Sequence, residues 1–407
     1  MKKLFPLAII LVLLCCTGRQ GQETVPHAMS RGLDSLFQTA VCHGEIPSAV
    51  ALVWKSGEEV YHESFGYRIL EIRDPLAKDD IFRMASMTKG LTAVAILQLE
   101  ERGLLELDDP VSEYLPEFAG ARVITEIHED SSWSSRPATG LIRISHLLTH
   151  TSGIGYGFQD ERYNMLVSKQ GVSEGFEDDD RSSRDNIRRI GGLPLLADPG
   201  ETYIYSLSYD VLGVLIEEVS GLRYDHYIRE NILEPLAMDD SYFIIPGPER
   251  HRLVKAYEPS PRGLVPTTYP DTAYPVLEHR RYFSGGADLC SSARDYSRFI
   301  RMLMNGGSLE GQVVLGEEQV RRMLSRQSSL GEGDSYQGYG TWIVNGEGAL
   351  KGPRSRGSFD FGGFWDTYSW ADPEKEMVAV LLLQMYPGNE HDIHQKFQEI
   401  IYRHIDD

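Results

Sequence analysis

Apolar and polar residues alternate near both ends of the chain, as they do in β-strands. Residues 48–67, SAVALVWKSGEEVYHESFGY, alternate on either side of a Ser-Gly pair, which predicts a β-hairpin. Residues 366–386 predict a second hairpin around an Asp-Pro pair, and its second strand is apolar enough to be central in a sheet. Residues 391–405 have the apolar spacing of an amphipathic helix that closes the chain.

The middle of the chain has mainly helical patterns. Residues 210–221, DVLGVLIEEVSG, predict one helix, and another ends at Gly103 because glycine commonly follows the last helical turn. Residues 173–186 are polar and acidic, so we expect an exposed loop at an entrance rim, with a solvated acidic run at residues 177–180. The apolar positions of the helix that ends at Gly103 are Leu91, Val94, Ala95, Ile96, Leu97 and Leu99.

These patterns predict an α/β fold of the α+β type. An antiparallel β-sheet built from both chain ends is flanked by helices, and a mostly helical region is inserted between the two ends. We expect a single folded unit. Its parts are a signal segment at residues 1–16, a first α/β part at 23–85, the helical region at 86–280 and a second α/β part at 281–407.

Composition and charge exclude some classes of partner. The chain has 407 residues, of which 41% are hydrophobic and 25% charged, as in an ordinary globular protein with a large core. Forty Lys and Arg residues against sixty Asp and Glu residues give a formal net charge of -20. This is the wrong sign for binding phosphate backbones, so we expect no nucleic-acid partner.

The first twenty residues, MKKLFPLAIILVLLCCTGRQ, have the pattern of a secretory signal. Two lysines precede the uncharged, mostly apolar run at residues 4–14, which is shorter than the roughly 20 residues that span a bilayer. The letters LLCC resemble a bacterial lipobox, with Cys16 as the candidate for lipidation, although Cys15 is larger than the residue usual before the cut. We expect an exported protein of the periplasm or outer envelope, either without membrane attachment or attached through a lipid anchor only.

Two cysteines, Cys42 and Cys290, remain after the signal segment. An exported protein can form a disulfide from such a pair. Their separation in sequence does not show that they meet in space. We expect two buried, unreactive thiols, with a disulfide as the alternative.

The segment FRMASMTKGLTAVAILQLEERG, residues 82–103, places Ser86 and Lys89 one helical turn apart at the start of an apolar helix. A serine hydroxyl is a good nucleophile only when a neighbour removes its proton. A lysine can accept that proton only in its neutral form, which burial and the positive end of a helix dipole favour. The pair therefore predicts a serine nucleophile with a lysine partner, although S-x-x-K alone also occurs by chance.

Six sequence blocks in a defined order strengthen this interpretation. Together they resemble the serine β-lactamase and penicillin-binding-protein superfamily, most closely the class C β-lactamase-like branch that includes the family VIII carboxylesterases. The resemblance spans nearly the whole chain after the signal segment and implies a β-lactamase/transpeptidase-like fold. The blocks are IFRMASMTKGLTAVAILQLEERGLLELDDPVSEYLPEF (81–118), HLLTHTSGIGY (146–156), PGETYIYSLSYDVLGVLIEEVSG (199–221), ILEPLAMDDSYF (232–243), SGGADLCSSARDYSRFIRML (284–303) and FGGFWDTYSWADPEKEMVAVLLL (361–383).

The resemblance implies roles for three side chains. Ser86 is the acylated nucleophile, Lys89 is its proton partner, and Tyr205 in YSLSYDVLG matches the tyrosine that shares the general-base work. A phenol can do so when a cationic lysine stabilises its anion. In β-lactamases this motif is Y-x-N, and here Leu207 takes the place of the asparagine, as in the esterase branch. Leucine can neither donate to nor accept from a substrate amide.

The third motif of the superfamily, K-T-G, does not occur in this chain. The resemblance implies that Phe361, Gly362 and Gly363 take its place, much as W-G-G does in family VIII esterases. By the same resemblance, the glycines would let a substrate approach the strand backbone, and the backbone N–H groups of Phe364 and Ser86 would form an oxyanion hole.

Phe361 replaces a fixed charge with an apolar wall, which favours neutral acyl or alcohol groups over anionic peptides. The alternative is an ordinary strand aromatic. Just upstream, Lys351, Arg354 and Arg356 are candidates to restore a positive charge.

Two other motifs are expected to be coincidental. GVSEG at residues 171–175 fits the G-x-S-x-G elbow, but Ser173 is followed by a solvated run rather than a helix. HLLTH puts His146 and His150 at the i, i+4 spacing of a zinc site, but the glutamate of H-E-x-x-H is missing and no third ligand is suggested. We expect no metal.

The sequence thus predicts an exported serine hydrolase without a cofactor, and an esterase of short acyl esters is the first hypothesis. A β-lactamase or D-Ala-type peptidase is the second, with the same nucleophile and a different pocket. A transacylase, in which an alcohol replaces water, and a catalytically silent envelope binding protein are further alternatives. The expected partner is a small ester or amide, and the sequence does not indicate an oligomeric state.

Overall fold

The computed structural model describes residues 25–130, 132–175, 181–267, 274–276, 278–330, 333–388 and 391–405. The predicted signal segment, with Cys16, and the acidic run at residues 177–180 lie outside the described residues. Within the described ranges, no helix has both the length and the apolar character needed to cross a bilayer.

A large antiparallel β-sheet lies between layers of helices, which confirms the predicted fold class. Its eight strands follow in order across the sheet: β12 (Ser335–Gln337), β13 (Trp342–Val344), β14 (Phe359–Gly363), β15 (Thr367–Asp372), β16 (Met377–Leu382), β1 (Ser48–Lys55), β2 (Glu58–Ile69) and β3 (Asp74–Pro75). Both predicted hairpins are confirmed, as β1–β2 and β15–β16. Because β16 pairs with β1, the two chain ends meet inside the sheet.

The two central strands are buried on both faces. Successive side chains of a strand point to opposite faces, so Val50 packs in the larger core and Ala51 in a second core on the other side. Helices α1 (Val25–His43) and α11 (Ile393–His404) cover the second core, and α11 confirms the predicted closing helix. The inserted region covers the first core.

The helix that follows Ser86 is α2 (Thr88–Glu101), and every residue from Thr88 to Leu99 is buried. Its apolar surface is therefore surrounded on all sides by protein. The predicted ends of α2 and of α6 (Ser208–Ser220) are confirmed, since Gly103 and Gly221 adopt left-handed φ values of 67° and 73° there. The other helices are α3 (Ile144–Leu148), α4 (Glu161–Gln170), α5 (Ser183–Gly191), α7 (Tyr224–Ile228), α8 (Ala293–Met304), α9 (Glu317–Met323) and α10 (Gly348–Lys351), with one π-helical turn at Arg229–Leu233.

Four small two-stranded ladders complete the described strands. They lie outside the large sheet and pair β4 (Phe82–Arg83) with β9 (Cys290–Ser291), β5 (Arg122–Ile127) with β6 (Trp133–Pro137), β7 (Tyr257–Ser260) with β8 (Gly263–Pro266), and β10 (Ser308–Leu309) with β11 (Gln312–Val313).

The expectation of an exposed loop at residues 173–186 is wrong at both ends of that segment. Ser173 is fully buried, and α5 begins at Ser183. The physical reason is Asn186, whose side-chain amide accepts from the N–H of Ser173 at 2.7 Å and donates to its carbonyl at 3.0 Å. These bonds hold the two ends of the segment together inside the protein.

The cysteine prediction is correct for only one of the two thiols. Cys290 is fully buried, and burial raises the pKa of its thiol to about 12. Cys42 is exposed, because it lies near the end of α1 and off the face that buries Phe37 and Ala40. Both are free thiols in the structure.

Candidate active site

Ser86 lies in the short 3-10 turn Ala85–Met87, directly before α2. The structure brings the three predicted side chains together around its hydroxyl. Lys89 Nζ donates to Ser86 Oγ at 3.2 Å, and Tyr205 OH donates to the same oxygen at 2.7 Å. Ser86, Lys89 and Tyr205 are called the helical wall below.

Lys89 is enclosed at the start of α2, with 4% of its surface exposed. Its Nζ also donates to the Gly286 carbonyl at 2.8 Å and lies 4.8 Å from the centre of the Tyr205 ring. A methyl group at Gly286 would lie 3.2 Å from Nζ and 3.1 Å from Asp210 Oδ2. Gly286 therefore lets a buried carboxyl group lie close to the lysine.

Asp210 is a residue of this site that the sequence interpretation missed. It is buried in the first turn of α6 and accepts a hydrogen bond from Tyr282 OH. Burial raises the pKa of Asp210, whereas its hydrogen bonds to Tyr282 and Ser284 and the charge of Lys89 act in the opposite direction. The available signal was a charged residue in the first turn of a helix whose next six residues, VLGVLI, carry no polar side chain.

His150 supports Tyr205 from behind. Its ring centre is 4.6 Å from that of Tyr205, and its Nδ1 accepts from the Ser206 N–H at 3.1 Å. Burial and the charge of Lys89 lower the pKa of His150 well below the usual range, so the ring is neutral. His146 instead accepts from the N–H of Arg143 through Nδ1. The two histidines of HLLTH thus have separate structural partners.

The opposite side of the site is the end of β14 and the turn that follows it, residues 362–367, called the sheet wall below. A Cβ atom on Gly363 would overlap the Met84 carbonyl oxygen and Thr367 Oγ1. Glycine therefore allows the sheet wall to approach the backbone two residues before Ser86. Phe364 follows directly and lines the same cavity as Ser86. The pairing of its N–H with that of Ser86 in an oxyanion hole stays a prediction.

Of two residues predicted to contact substrate, one has its side chain in the core and the other borders a cavity with little exposed surface. Leu207 is fully buried and lines neither cavity at Ser86, because α6 begins at the next residue and turns it inward. Phe361 borders the smaller cavity, but it is only 4% exposed and its ring lies 5.9 Å from that of Phe299. A Cβ atom on Gly90 would lie 2.7 Å from the Phe361 ring, so this ring supports α2 from behind.

Ser86 opens onto two cavities of about 530 and 230 Å³. Four residues, Ser86, Tyr205, Gly362 and Tyr368, border both, so the cavities meet at the nucleophile. Among the described residues that line the larger one, there is no lysine or arginine, and the acidic side chains are Glu174 and Asp366.

The basic residues upstream of β14 do not supply a charge to these cavities. Lys351 pairs with Asp334 at the surface. Arg354 pairs with Asp360 and donates to Tyr368 OH at 3.0 Å. These two residues and the exposed Arg356 do not line either cavity.

The structure confirms that GVSEG is not a nucleophile elbow. Ser173 is fully buried in the connection between α4 and α5, and no strand leads into it. It does not line either cavity at Ser86.

Comparisons with known proteins agree with this geometry. A model of the Beta-lactamase family matches residues 33–400. The chain is 30% identical over 373 residues to Esterase EstB of Burkholderia gladioli, which covers 88% of this chain and 90% of the esterase. It is 28% identical over 402 residues to Monacolin J acid methylbutanoyltransferase of Aspergillus terreus, which covers 91% of this chain and 95% of that protein.

The solved structure of EstCE1, described as a hydrolase with promiscuous acyltransferase activity, has the same fold. It superimposes with a TM-score of 0.80 at 23% identity and covers 93% of this chain and 99% of its own. The family match spans most of the chain, and the predicted serine, lysine and tyrosine meet in one site. The chain therefore belongs to the beta-lactamase family and is a serine hydrolase or acyl-transferring enzyme, similar to the family VIII esterases.

Proposed function

We propose that the protein is an exported esterase that hydrolyses short acyl esters through an acyl-enzyme on Ser86. The observation that carries this proposal is the convergence of Lys89 Nζ and Tyr205 OH on Ser86 Oγ, at 3.2 and 2.7 Å, where two cavities meet. Two cavities give separate room for the acyl and alcohol halves of an ester.

In the proposed reaction, Ser86 Oγ attacks the ester carbonyl carbon while its proton passes to neutral Lys89 or to the Tyr205 phenolate. The bond to the alcohol oxygen then breaks, and that oxygen takes the proton. Water attacks the acyl carbon and gives a proton to the same pair. The bond between that carbon and Ser86 Oγ then breaks, Oγ takes the proton, and the carboxylic acid leaves. Both groups contact Oγ, so the geometry fits either as the first base.

We propose that the N–H groups of Ser86 and Phe364 bind the oxyanion formed in both steps. Each such donor is typically worth about 3 kcal/mol of transition-state stabilisation. The close packing of Gly363 on Met84 supports this assignment, because it brings the start of the turn next to the Ser86 segment.

The charge of the cavities favours a neutral ester over a β-lactam or a D-Ala peptide, both of which carry a carboxylate. The described lining of the larger cavity has Glu174 and no lysine or arginine, and Arg354 is already paired with Asp360. An anionic substrate would find no lysine or arginine among the described residues that line this cavity.

Parallel rates on p-nitrophenyl butyrate and a chromogenic cephalosporin test the preference for esters. We expect faster acylation by the ester. Faster acylation by the cephalosporin would replace this proposal with a β-lactamase or peptidase.

Labelling with a fluorophosphonate tests whether the protein is an enzyme or a silent binding protein. We expect wild type to label and Ser86→Ala not to label. Equal labelling of the two would exclude Ser86 as the nucleophile, and absence of labelling in wild type would favour the binding protein.

Acyl transfer is a second candidate, favoured by the two cavities that meet at Ser86 and by the acyltransferase among the similar proteins. An alcohol bound in one cavity would replace water as the acceptor of the acyl group. Adding short alcohols to the p-nitrophenyl butyrate assay and quantifying the butyrate ester against free butyrate separates transfer from hydrolysis. A product that is mostly ester at low alcohol concentration would favour the transferase.

Export is proposed from the apolar run at residues 4–14. Expression of the full chain in a bacterium, followed by cell fractionation and mass measurement of the N-terminus, tests it. Cleavage before Cys16 with an added diacylglyceryl mass would indicate a lipid anchor. Cleavage without that mass would indicate an exported form without an anchor. An uncleaved protein in the cytoplasm would contradict export.

A further inference from the structure

Asp366 closes the turn of the sheet wall in a conformation that a non-glycine residue rarely adopts. Its φ is 61°, in the left-handed region, and its N–H donates to the Gly363 carbonyl at 3.1 Å. Its side chain is 1% exposed. A buried carboxylate in a strained position needs strong compensating contacts from its surroundings.

Two histidines supply those contacts, His394 in the first turn of α11 and His391 two residues before that helix begins. His391 Nε2 lies 2.9 Å from one oxygen of Asp366, and His394 Nε2 lies 2.7 Å from the other. The N–H of Ile393 donates to His391 Nδ1 at 3.4 Å. Of the two imidazole contacts, the one from His394 has the geometry of a hydrogen bond, whereas His391 Nε2 lies at ion-pair distance from the carboxylate. Burial raises the pKa of Asp366, but the two imidazoles outweigh burial and hold its pKa well below the usual range.

Besides the contact at Gly363, this turn has two further contacts with residues 84–86, the segment that contains the nucleophile. Thr367 Oγ1 donates to the Met84 carbonyl at 3.4 Å. Trp365 is fully buried in one apolar cluster with Ala85, the residue before the nucleophile. Ala85 itself has a φ of 46°, so a second strained residue lies on the Ser86 side of this contact.

We propose that Asp366, His391 and His394 are positioning residues that hold the sheet wall, and with it the Phe364 N–H, against the Ser86 segment. The inference rests on the proposed acyl-enzyme chemistry and extends it to residues that no motif identified. The three residues act through the turn, and Ser86, Lys89 and Tyr205 remain the groups that react.

A matched pair of variants at His394 tests the proposal. His394→Leu removes the donor, whereas His394→Gln keeps an N–H that can reach Asp366. On p-nitrophenyl butyrate we expect the leucine variant to lower kcat about 10-fold or more with little change in KM, because a small displacement of a donor from the reacting atoms is costly. We expect the glutamine variant to recover most of that loss. The exposed Gln395→Leu, one residue along the same helix, serves as the control for helix substitution.

Three results would overturn the proposal. They are an unchanged kcat in His394→Leu, an effect confined to KM, which would mean that His394 contacts substrate, and equal losses in the leucine and glutamine variants. If His394→Leu does not fold by circular dichroism, the corresponding His391→Leu and His391→Gln pair is judged by the same three criteria.

The rate of fluorophosphonate labelling separates this proposal from the proposed function. The labelling rate depends on the position of the oxyanion donors and does not require the natural substrate. We therefore expect the labelling rate to fall together with kcat in His394→Leu. Labelling that persists in Ser86→Ala means that the proposed function has failed. Labelling that requires Ser86 but proceeds equally fast in His394→Leu means that only the positioning role has failed.

Discussion

The two walls of the active site are built in different ways. The helical wall presents reactive side chains, and two of them, Ser86 and Lys89, are fixed by one turn of the chain. The sheet wall presents mainly backbone, and its position depends on contacts between residues far apart in sequence, such as Gly363 with Met84. A substitution in the helical wall removes a reacting atom. A substitution in the sheet wall displaces such an atom without removing it, so we expect graded rather than complete losses of activity there.

The largest effects are expected in the helical wall. Lys89→Met and Tyr205→Phe each remove one proton-transfer group while keeping most of the side-chain volume, so we expect kcat on p-nitrophenyl butyrate to fall about 10²- to 10⁴-fold. The double variant should have a kcat only slightly below that of the less active single variant, because the two groups act as a unit. The exposed Lys78→Met is the control for loss of a lysine. A single variant that keeps more than about a tenth of wild-type kcat would remove that residue from the mechanism.

Intermediate effects are expected at the two neighbouring glycines of the sheet wall. Gly363→Ala forces the turn away from Met84, so we expect a lower unfolding midpoint and a kcat reduced about 10- to 100-fold. In Gly362→Ala the new Cβ atom would have its nearest contact with Tyr368 at 3.7 Å, an ordinary packing distance. We expect an unchanged midpoint and an effect mainly on KM. Equal losses of stability in both variants would contradict the close approach at Gly363.

The smallest effect on activity is expected at Ser173, outside both walls. Ser173→Ala removes a buried hydroxyl that accepts from the Gly175 N–H at 3.3 Å, which should cost about 1 kcal/mol of unfolding free energy. Urea denaturation measures that loss. The kcat on p-nitrophenyl butyrate should stay within about twofold of wild type, since Ser173 lies in neither wall. A loss as large as that of Lys89→Met would reopen the elbow interpretation of GVSEG.

Sequence patterns predicted the sheet-forming hairpins, α2, α6 and α11, because alternation and helical spacing record burial on a local scale. They were less informative where polar residues become buried. Ser173 was expected in an exposed loop because its segment is polar, but Asn186 satisfies its backbone inside the protein. Leu207 was expected at the substrate because of its motif position, but the start of α6 turns it into the core.

The sequence by itself determined the fold class, because the apolar spacing within individual strands and helices indicates it. It also determined the pair of Ser86 and Lys89, because the two residues lie one helical turn apart. The motif resemblance implied that Tyr205 joins that pair, but the tertiary structure decided how distant groups come together there. Tyr205 reaches Ser86 across 119 residues of sequence, and Asp210 is brought beside Lys89 by the packing around Gly286. The histidine partners of Asp366 come from α11 and from the segment just before it. Such contacts follow from how whole helices and strands pack together, and no local pattern of apolar and polar residues records them.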